Sequence, residues 1–196
     1  MKRYAALVTI PLFLTACGDG DTASTVTSTT TESIVTTESI SPSPATVDEE
    51  SALLGSPDLE DKSAEVTEYE AVVTDIRVGT HDGFDRIVFD LEGPGIPGWD
   101  INYDAEPTAQ GSGEPVPYTG DAALNLRISG LVLPFELGPD VNEAIGEFPG
   151  AGNVTGITAL GTFEGQGQFV IGLDQQHPYS VQILTEPTRL VIDIVS

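Results

Sequence analysis

Two six-residue stretches of the chain alternate apolar and polar-tolerant positions in the same way. They are residues 86–91 (RIVFDL) and residues 189–194 (RLVIDI). An alternation with a period of two places successive side chains on opposite faces, so each stretch is predicted to be a strand with one buried face. The repeated motif suggests two sheets of similar construction packed face to face. The alternative is that Val- and Ile-rich strands resemble one another by chance.

The same alternation predicts further strands, which are separated by turns rich in Gly and Pro. The predicted strands cover residues 74–78, 84–92, 99–103, 122–128, 154–163, 168–173, 179–183 and 189–194. Asp82-Gly83 lies between the first two and is a typical hairpin turn. A short helical turn is predicted over residues 140–147, with Asp140 as its N-cap. Many short strands without a strong helix predict an all-β domain, a small sandwich of packed sheets or a barrel.

The N-terminus carries the pattern of a lipoprotein signal peptide. Lys2 and Arg3 precede a mostly apolar run of about 11 residues, which is shorter than the ~20 residues that a membrane-spanning helix needs. The run ends in Leu-Thr-Ala-Cys, which resembles a bacterial lipobox, in which the Cys is lipidated and becomes the first mature residue. We therefore predict a signal peptide over residues 1–16 and lipidation of Cys17, the only Cys of the chain. An ordinary secretory signal and a buried free Cys are the alternatives.

Residues 17–69 are rich in Thr, Ser, Pro, Asp and Glu and contain few apolar residues. So little apolar surface does not offset the entropy lost when a chain becomes ordered. This segment is predicted to be a disordered tether with a root-mean-square reach of ~40 Å. The folded domain is predicted to cover residues 70–196 and to be held away from the membrane, in the space that the cell wall occupies.

The chain is strongly acidic, with Lys+Arg 7 against Asp+Glu 31 and a formal net charge of −24. A surface of this charge repels nucleic acid phosphates and anionic lipid headgroups, so neither is expected as a direct ligand. Cationic groups, metal ions and neutral glycans are compatible partners. Contact with the membrane is expected through the lipid anchor only.

Three stretches of the predicted domain carry a resemblance to a known family: residues 78–89 (VGTHDGFDRIVF), 169–174 (FVIGLD) and 187–193 (PTRLVID). Together with the lipobox and the polar tether, they resemble the AMIN-like domain of actinobacterial lipoproteins, over roughly residues 71–195. The resemblance implies a small β-sandwich of two similar sheets. The AMIN domain proper targets cell-wall amidases and secretin assemblies to peptidoglycan or the division site. By that analogy, the domain is expected to be a binding module of the cell envelope.

The sequence contains no arrangement of residues that is typical of an enzyme. His81 and His177 are the only histidines, and neither lies in a metal-ligand spacing. Gly111-Ser112-Gly113 is not a nucleophile elbow, because it lies in a predicted loop rather than at a strand–helix turn. Asp104 and Glu106 could hold Ca²⁺ with loop carbonyls, although solvated loop acids are the favoured interpretation. We predict a non-catalytic protein with no cofactor and no metal.

One group of candidate binding residues lies at the first predicted hairpin, where polar side chains crowd a tight turn. It comprises His81, Asp82, Asp85 and Arg86. The alternative is structural: Asp82-Gly83 makes the turn, and Arg86 pairs across the sheet with Asp75 or Asp193. The structural alternative is favoured.

A second group consists of aromatic side chains that could stack on sugar rings, because they offer flat apolar area with polar edges. Its members are Trp99, Tyr103, Tyr118 and Tyr179. Trp99 and Tyr103 share a strand face with Ile101, so core packing is expected for at least one of them. Tyr118 lies in a predicted loop after Pro117 and is expected to be exposed.

Two functional hypotheses follow. In the first, the protein is an extracytoplasmic lipoprotein, anchored to the outer face of the cell membrane through Cys17, whose domain binds peptidoglycan or another wall component. In the alternative, it is an adaptor that localises or regulates a cell-wall hydrolase or a division protein. The sequence does not separate the two.

Overall fold

A computed structural model of the protein describes residues 52–196. The predicted signal peptide, Cys17 and most of the predicted tether lie outside the described residues. Within residues 52–196, no helix has the length and apolar character that crossing a membrane requires.

The described residues form strands almost throughout, connected by short turns and one longer loop. The elements are β1 (Lys62–Ala64), β2 (Val72–His81), β3 (Phe84–Glu92), β4 (Gly98–Tyr103), β5 (Ala122–Ser129), α1 (Pro134–Leu137), β6 (Gly146–Pro149), β7 (Val154–Phe163), β8 (Gln166–Leu173), β9 (Tyr179–Leu184) and β10 (Arg189–Val195). The predicted strands 84–92 and 154–163 coincide with β3 and β7. The alternation therefore located these strands correctly.

The strands form two antiparallel sheets that pack face to face. The order is β1-β4-β5-β8-β7-β6 in the six-stranded sheet and β2-β3-β10-β9 in the four-stranded sheet. Apolar side chains of both sheets form one core, in which Phe89 and Phe169 meet edge to face with 5.0 Å between ring centroids. This geometry is favourable for an aromatic pair. The predicted all-β sandwich of two packed sheets is confirmed.

The repeated motif does not supply one copy to each sheet, and that interpretation was wrong. β3 and β10 are antiparallel neighbours at the centre of the four-stranded sheet, with Arg86 opposite Asp193 and Asp90 opposite Arg189. Both copies carry an Arg four residues before an Asp. Antiparallel pairing therefore places the Arg of each copy opposite the Asp of the other. Arg86 and Asp193 form an ion pair, which favours pairing within one sheet, whereas Asp90 pairs with Arg77 of β2.

The helical turn predicted over residues 140–147 is also wrong. The helix lies earlier, at Pro134–Leu137, where Pro134 occupies the first turn and its missing N–H is not needed. Residues 146–149 instead form the edge strand β6, which pairs with β7 in the register Gly146↔Ala159. Pro149 ends this strand, a position at an edge that proline tolerates.

Part of the segment predicted as a disordered tether is folded onto the sandwich. Residues 52–64, here called the N-terminal strap, run from the outer face of the four-stranded sheet past β9 to the edge of the six-stranded sheet. Leu54 N–H donates to Asp193 Oδ2 at 2.7 Å, Asp58 forms a bridge with Tyr179, and β1 pairs with β4. The backbone groups of sheet edges need hydrogen-bond partners. Hydrogen bonds to these edges order the strap, a segment that was not predicted to be ordered.

Candidate functional site

The four candidate residues at the first hairpin are not brought together on one face of the sheet. His81 stacks on Phe84 with 4.7 Å between ring centroids, at the end of the hairpin. Asp82 is exposed in the turn, and Gly83 adopts φ +88°, a conformation that glycine adopts readily. The structural interpretation of Asp82-Gly83 as a turn is confirmed.

Asp85 faces the interior of the sandwich and holds a loop of the opposite sheet. Only 3% of Asp85 is exposed, and its Oδ2 accepts a hydrogen bond from the backbone N–H of Asn153 at 2.7 Å. Gly152 approaches so closely that a Cβ there would lie 2.1 Å from Asp85 Oδ1. The carboxylate therefore ties the loop between β6 and β7 to β3, which is a structural role.

Arg86 lies on the opposite face of β3 and forms a buried ion pair with Asp193. Its Nε donates to Asp193 Oδ1 at 2.7 Å, and a terminal nitrogen donates to Oδ2 at 2.8 Å. The same terminal nitrogen donates to the carbonyl of Ala52 at 2.7 Å. This two-point geometry is the strong form of an Arg–carboxylate contact. The alternative in which Arg86 pairs across the sheet is confirmed, with Asp193 as its partner.

Two of the four aromatic candidates are buried in the core, so they cannot stack on a sugar at the surface. Trp99 is 9% exposed and Tyr179 is fully buried. The Tyr179 hydroxyl donates to the carbonyls of Glu60 and Ile101, at 2.8 and 3.2 Å, and burial raises the pKa of Tyr179. Alternation explains both positions, because each has the same parity as core neighbours on its strand.

Tyr103 is partly buried and fixes the loop that precedes β9. Its hydroxyl donates to the carbonyl of His177 at 2.7 Å and accepts from the N–H of His177 at 2.9 Å. Burial raises the pKa of Tyr103, and the hydrogen bond with His177 opposes that shift. The imidazole Nε2 of His177 lies 2.8 Å from Asp174 Oδ1. The polar edge of Tyr103 is thus occupied by the protein itself.

Tyr118 lies in the long loop between β4 and β5, which packs on the outer face of the six-stranded sheet. The loop is held by a small apolar cluster of Val116, Ala123 and Val170, against which Tyr118 packs. The side chain of Gln168 supplies polar anchors: its Nε2 donates to the carbonyl of Thr108 at 2.9 Å, and its Oε1 accepts from the N–H of Gln110 at 2.8 Å. The loop therefore presents Tyr118 on an ordered base.

Tyr118 contributes to the walls of two open clefts. The larger has a volume of about 510 Å³, and its lining includes Ala105, Glu106, Pro107, Pro115, Val116 and Pro117. The smaller has a volume of about 250 Å³, and its lining includes Thr119, Glu147, Phe148, Thr155, Thr158 and Val170. Tyr118 and these two clefts are here called the Tyr118 surface.

The Tyr118 surface has the chemistry of a site for neutral, hydroxyl-rich ligands. The tyrosine ring and the prolines offer apolar area for the faces of sugar rings, while threonine hydroxyls and two carboxylates can bond hydroxyl groups at the rims. The Tyr118 hydroxyl donates to the carbonyl of Ala105 at 3.2 Å, which fixes the ring. Neither cleft is lined by Lys or Arg. Phosphate groups would find no cationic partner there.

Asp104 and Glu106, the residues considered for Ca²⁺, form a local turn. Asp104 Oδ1 accepts the N–H of Glu106 at 3.0 Å, which is the hydrogen bond of an Asx turn. Among residues 52–196, no group of three or more His, Cys, Asp or Glu side chains has a geometry that could hold a metal ion.

Several residues of the Tyr118 surface were not predicted from the sequence. Gln168, which anchors the loop that carries Tyr118, could have been found, because it directly precedes the apolar residues 169–171 within β8. Glu147, Thr155 and Thr158 could not, because their proximity to Tyr118 depends on how an irregular loop folds over β7 and β8.

Comparison with known proteins gives one match. A family model described as the AMIN-like domain matches residues 71–196. No curated protein matches the chain, and no solved structure matches it. The matched region begins after the N-terminal strap and includes every strand from β2 to β10.

Proposed function

The chain belongs to the AMIN-like domain family, and from this premise we propose that it is a non-catalytic cell-envelope lipoprotein that binds the glycan of peptidoglycan through the Tyr118 surface. AMIN-like domains are non-catalytic binding modules associated with the cell wall. The proposal adds a ligand and a surface to that general role.

The observation that carries the proposal is the accessibility of Tyr118 beside two clefts. Of the aromatic side chains considered for stacking, Trp99 and Tyr179 are buried, and the ring of Tyr103 packs edge to face on Tyr179 against the main core. Tyr118 is only partly buried and borders open space on both sides. A ring held in this way provides a stacking platform at little cost in conformational entropy.

The negative charge of the protein favours an uncharged component of the cell wall as the ligand. Glu106 and Glu147 line the two clefts, and the whole chain has a net charge of −24. Such a surface repels phosphate-bearing wall polymers, whereas the uncharged hydroxyl groups of a glycan chain are not repelled. The proposal therefore favours the sugar backbone of peptidoglycan over anionic polymers.

The location of the protein is part of the proposal. We infer that residues 1–16 direct export and that lipidated Cys17 anchors the chain to the outer face of the cell membrane. Because residues 52–64 are folded onto the sandwich, a tether between anchor and domain lies within residues 18–51. Residues 18–51 give a root-mean-square reach of roughly 30 Å if they behave as a flexible chain.

The proposal is tested by co-sedimentation of the full chain with sacculi stripped of protein and of phosphate-bearing polymers. We expect saturable binding that changes little with salt and that weakens about tenfold or more in the Tyr118→Ala variant. Tyr69→Ala is the matched control, because Tyr69 is 70% exposed and lies outside the Tyr118 surface. Circular dichroism checks that both variants fold. Equal binding by Tyr118→Ala and the wild type would contradict the proposal.

A further inference from the structure

Large apolar side chains are exposed on two segments that the Tyr118 surface does not include. The first segment surrounds α1 and leads to β6, and the second is the end of β7. The exposed fractions are 41% for Leu133, 74% for Phe135, 60% for Ile145, 38% for Leu160 and 52% for Phe163. These five residues are here called the apolar end.

Several contacts bring the two segments together. Leu133 and Phe163 line the same cleft, which has a volume of about 380 Å³. Ile145 Cδ1 lies 3.3 Å from the position that a Cβ on Gly161 would occupy, and Gly161 is the neighbour of Leu160 in sequence. The two segments are therefore neighbours, and Leu133 and Phe163 line a concave part between them, which is typical of an interaction surface.

The backbone beneath the apolar end is held by hydrogen bonds. Both Gly130 N–H and Leu131 N–H donate to the carbonyl of Gly165 at 3.1 Å, which joins the chain before α1 to the β7–β8 turn. Leu133 N–H donates to Glu136 Oε1 at 3.0 Å, and Ala144 N–H donates to the carbonyl of Val73 at 2.8 Å. The exposed side chains are thus presented on a fixed frame, so a partner need not order the backbone on binding.

Carboxylates surround the apolar end. Glu136 and Glu164 line the cleft, and Glu143 Oε1 lies 3.8 Å from the position of a Cβ on Gly161. No Lys or Arg lines this cleft. Four of the basic side chains in residues 52–196 form ion pairs elsewhere: Lys62 with Asp58, Arg77 with Asp90, Arg86 with Asp193 and Arg127 with Asp100.

We propose that the apolar end docks a basic amphipathic segment of a partner protein. Apolar side chains of that segment fill the cleft beside Leu133 and Phe163, and its Lys or Arg side chains pair with Glu136, Glu143 and Glu164. Charge complementarity selects this occupant: a partner that brings cations pairs the carboxylates, which would otherwise lose water on docking without a counter-charge.

The same carboxylates disfavour the other occupants. An anionic membrane surface would be repelled, and a second copy of the chain would place like charges together. The chain's own residues 18–51 contain Asp and Glu but neither Lys nor Arg, so they cannot supply the cations. The inference does not rest on sugar binding, because no residue lines both this cleft and the Tyr118 surface.

The test uses a labelled amphipathic peptide of Leu and Lys, about 14 residues long to give four helical turns, titrated with the full chain by fluorescence anisotropy. We expect saturable binding, and no binding of a peptide in which Glu replaces every Lys. The double variant F135S/F163S is expected to lose about tenfold or more in affinity, because it removes two exposed aromatic anchors. Both side chains are more than half exposed, so the fold is expected to persist.

A charge-only variant separates the roles of apolar and acidic groups. E136Q/E143Q/E164Q keeps every apolar side chain and an oxygen that can accept the Leu133 N–H, and it is expected to bind several-fold more weakly and with less salt dependence. The control variant E60Q/E65Q/E114Q changes the net charge by the same amount at exposed positions that line none of these three clefts. It is expected to bind the peptide like the wild type.

Unchanged peptide binding in F135S/F163S, or equal effects of the two Gln variants, would overturn the proposal. Sedimentation with phosphatidylglycerol vesicles that is lost in F135S/F163S would assign the apolar end to a membrane instead. Concentration-dependent dimerisation that is lost in this variant would assign it to self-association. Sacculus binding by F135S/F163S should equal that of the wild type, which distinguishes failure here from failure of the proposed function.

Discussion

Arg86 and Asp193 form a buried ion pair beneath the strap. The effect of this pair on the stability of the fold depends on whether both charges are present. The side chain of Arg86 is 6% exposed and that of Asp193 is fully buried. Desolvation offsets most of the attraction within such a pair, so the pair need not add much net stability. Removal of one member is different, because it leaves the other charge buried without a counter-charge.

We therefore expect Asp193→Asn to lower the free energy of unfolding by about 3–5 kcal/mol. Urea denaturation followed by circular dichroism measures this change. The matched control is Asp90→Asn, the equivalent position in the other copy of the motif, where the ion pair with Arg77 is partly exposed. There we expect a loss of no more than about 1 kcal/mol. Similar losses at the two positions would contradict the distinction between buried and exposed pairs.

At the residue scale, periodicity indicates which face of a strand a side chain occupies, and it accounts for the burial of two residues that were candidates for sugar stacking. Trp99 has the parity of Ile101, and Tyr179 has the parity of Val181, so each points into the core with its neighbour. Tyr118 lies in an irregular loop, where no period applies. Its partly exposed position depends on contacts with Ala123, on the following strand, and with Val170, which is distant in sequence.

At the scale of elements, strand positions could be predicted from the sequence, but strand partners could not. Alternation reports which face is buried, and it says nothing about which strand lies alongside. The charges did contain that information: an Arg and an Asp four residues apart in both β3 and β10 become complementary when the strands pair antiparallel. Pairing of Arg86 with Asp193 across a sheet, which is one of the alternatives for that residue, already requires the two copies to lie in the same sheet.

The strap was missed for a different reason. Apolar content was judged over the whole of residues 17–69, and within the strap Leu53 and Leu59 remain 40% and 49% exposed, so burial of apolar side chains does not account for its order. The strap is ordered instead by hydrogen bonds to existing sheets. Tyr179 N–H donates to the carbonyl of Asp58 at 2.9 Å, and Asp58 N–H donates to the carbonyl of Tyr179 at 3.2 Å.

Hydrogen exchange tests whether the strap is part of the fold. Peptides that cover residues 54–64 are expected to exchange at least about a hundredfold more slowly than an unfolded chain, because opening them breaks the contacts with Asp193 and Tyr179. The same chain unfolded in denaturant gives the reference rate for each peptide. Exchange of residues 54–64 at the rate of an unfolded chain would contradict the strap and would support the original prediction of a tether that extends to residue 69.

At the scale of the whole molecule, the first residues of the strap and the Tyr118 surface lie on opposite faces of the sandwich. Ala52 and Leu54 contact the outer face of the four-stranded sheet through Arg86 and Asp193. Tyr118 belongs to the loop on the outer face of the six-stranded sheet. In a chain anchored through its N-terminus, the tether would thus join the domain on one face, and the opposite face with Tyr118 would remain accessible to the cell wall.

The central claim, that sugar chains bind at Tyr118, is tested most directly by NMR of the full chain with ¹³C-labelled tyrosine rings. Soluble glycan strands released from sacculi are titrated into the sample, and each ring is assigned by its Tyr→Phe variant. We predict saturable shifts of the Tyr118 ring signals, while those of exposed Tyr69 and buried Tyr179 remain in place. Tyr118 signals that stay unchanged at saturating glycan, or shifts that follow Tyr69 instead, would contradict the claim.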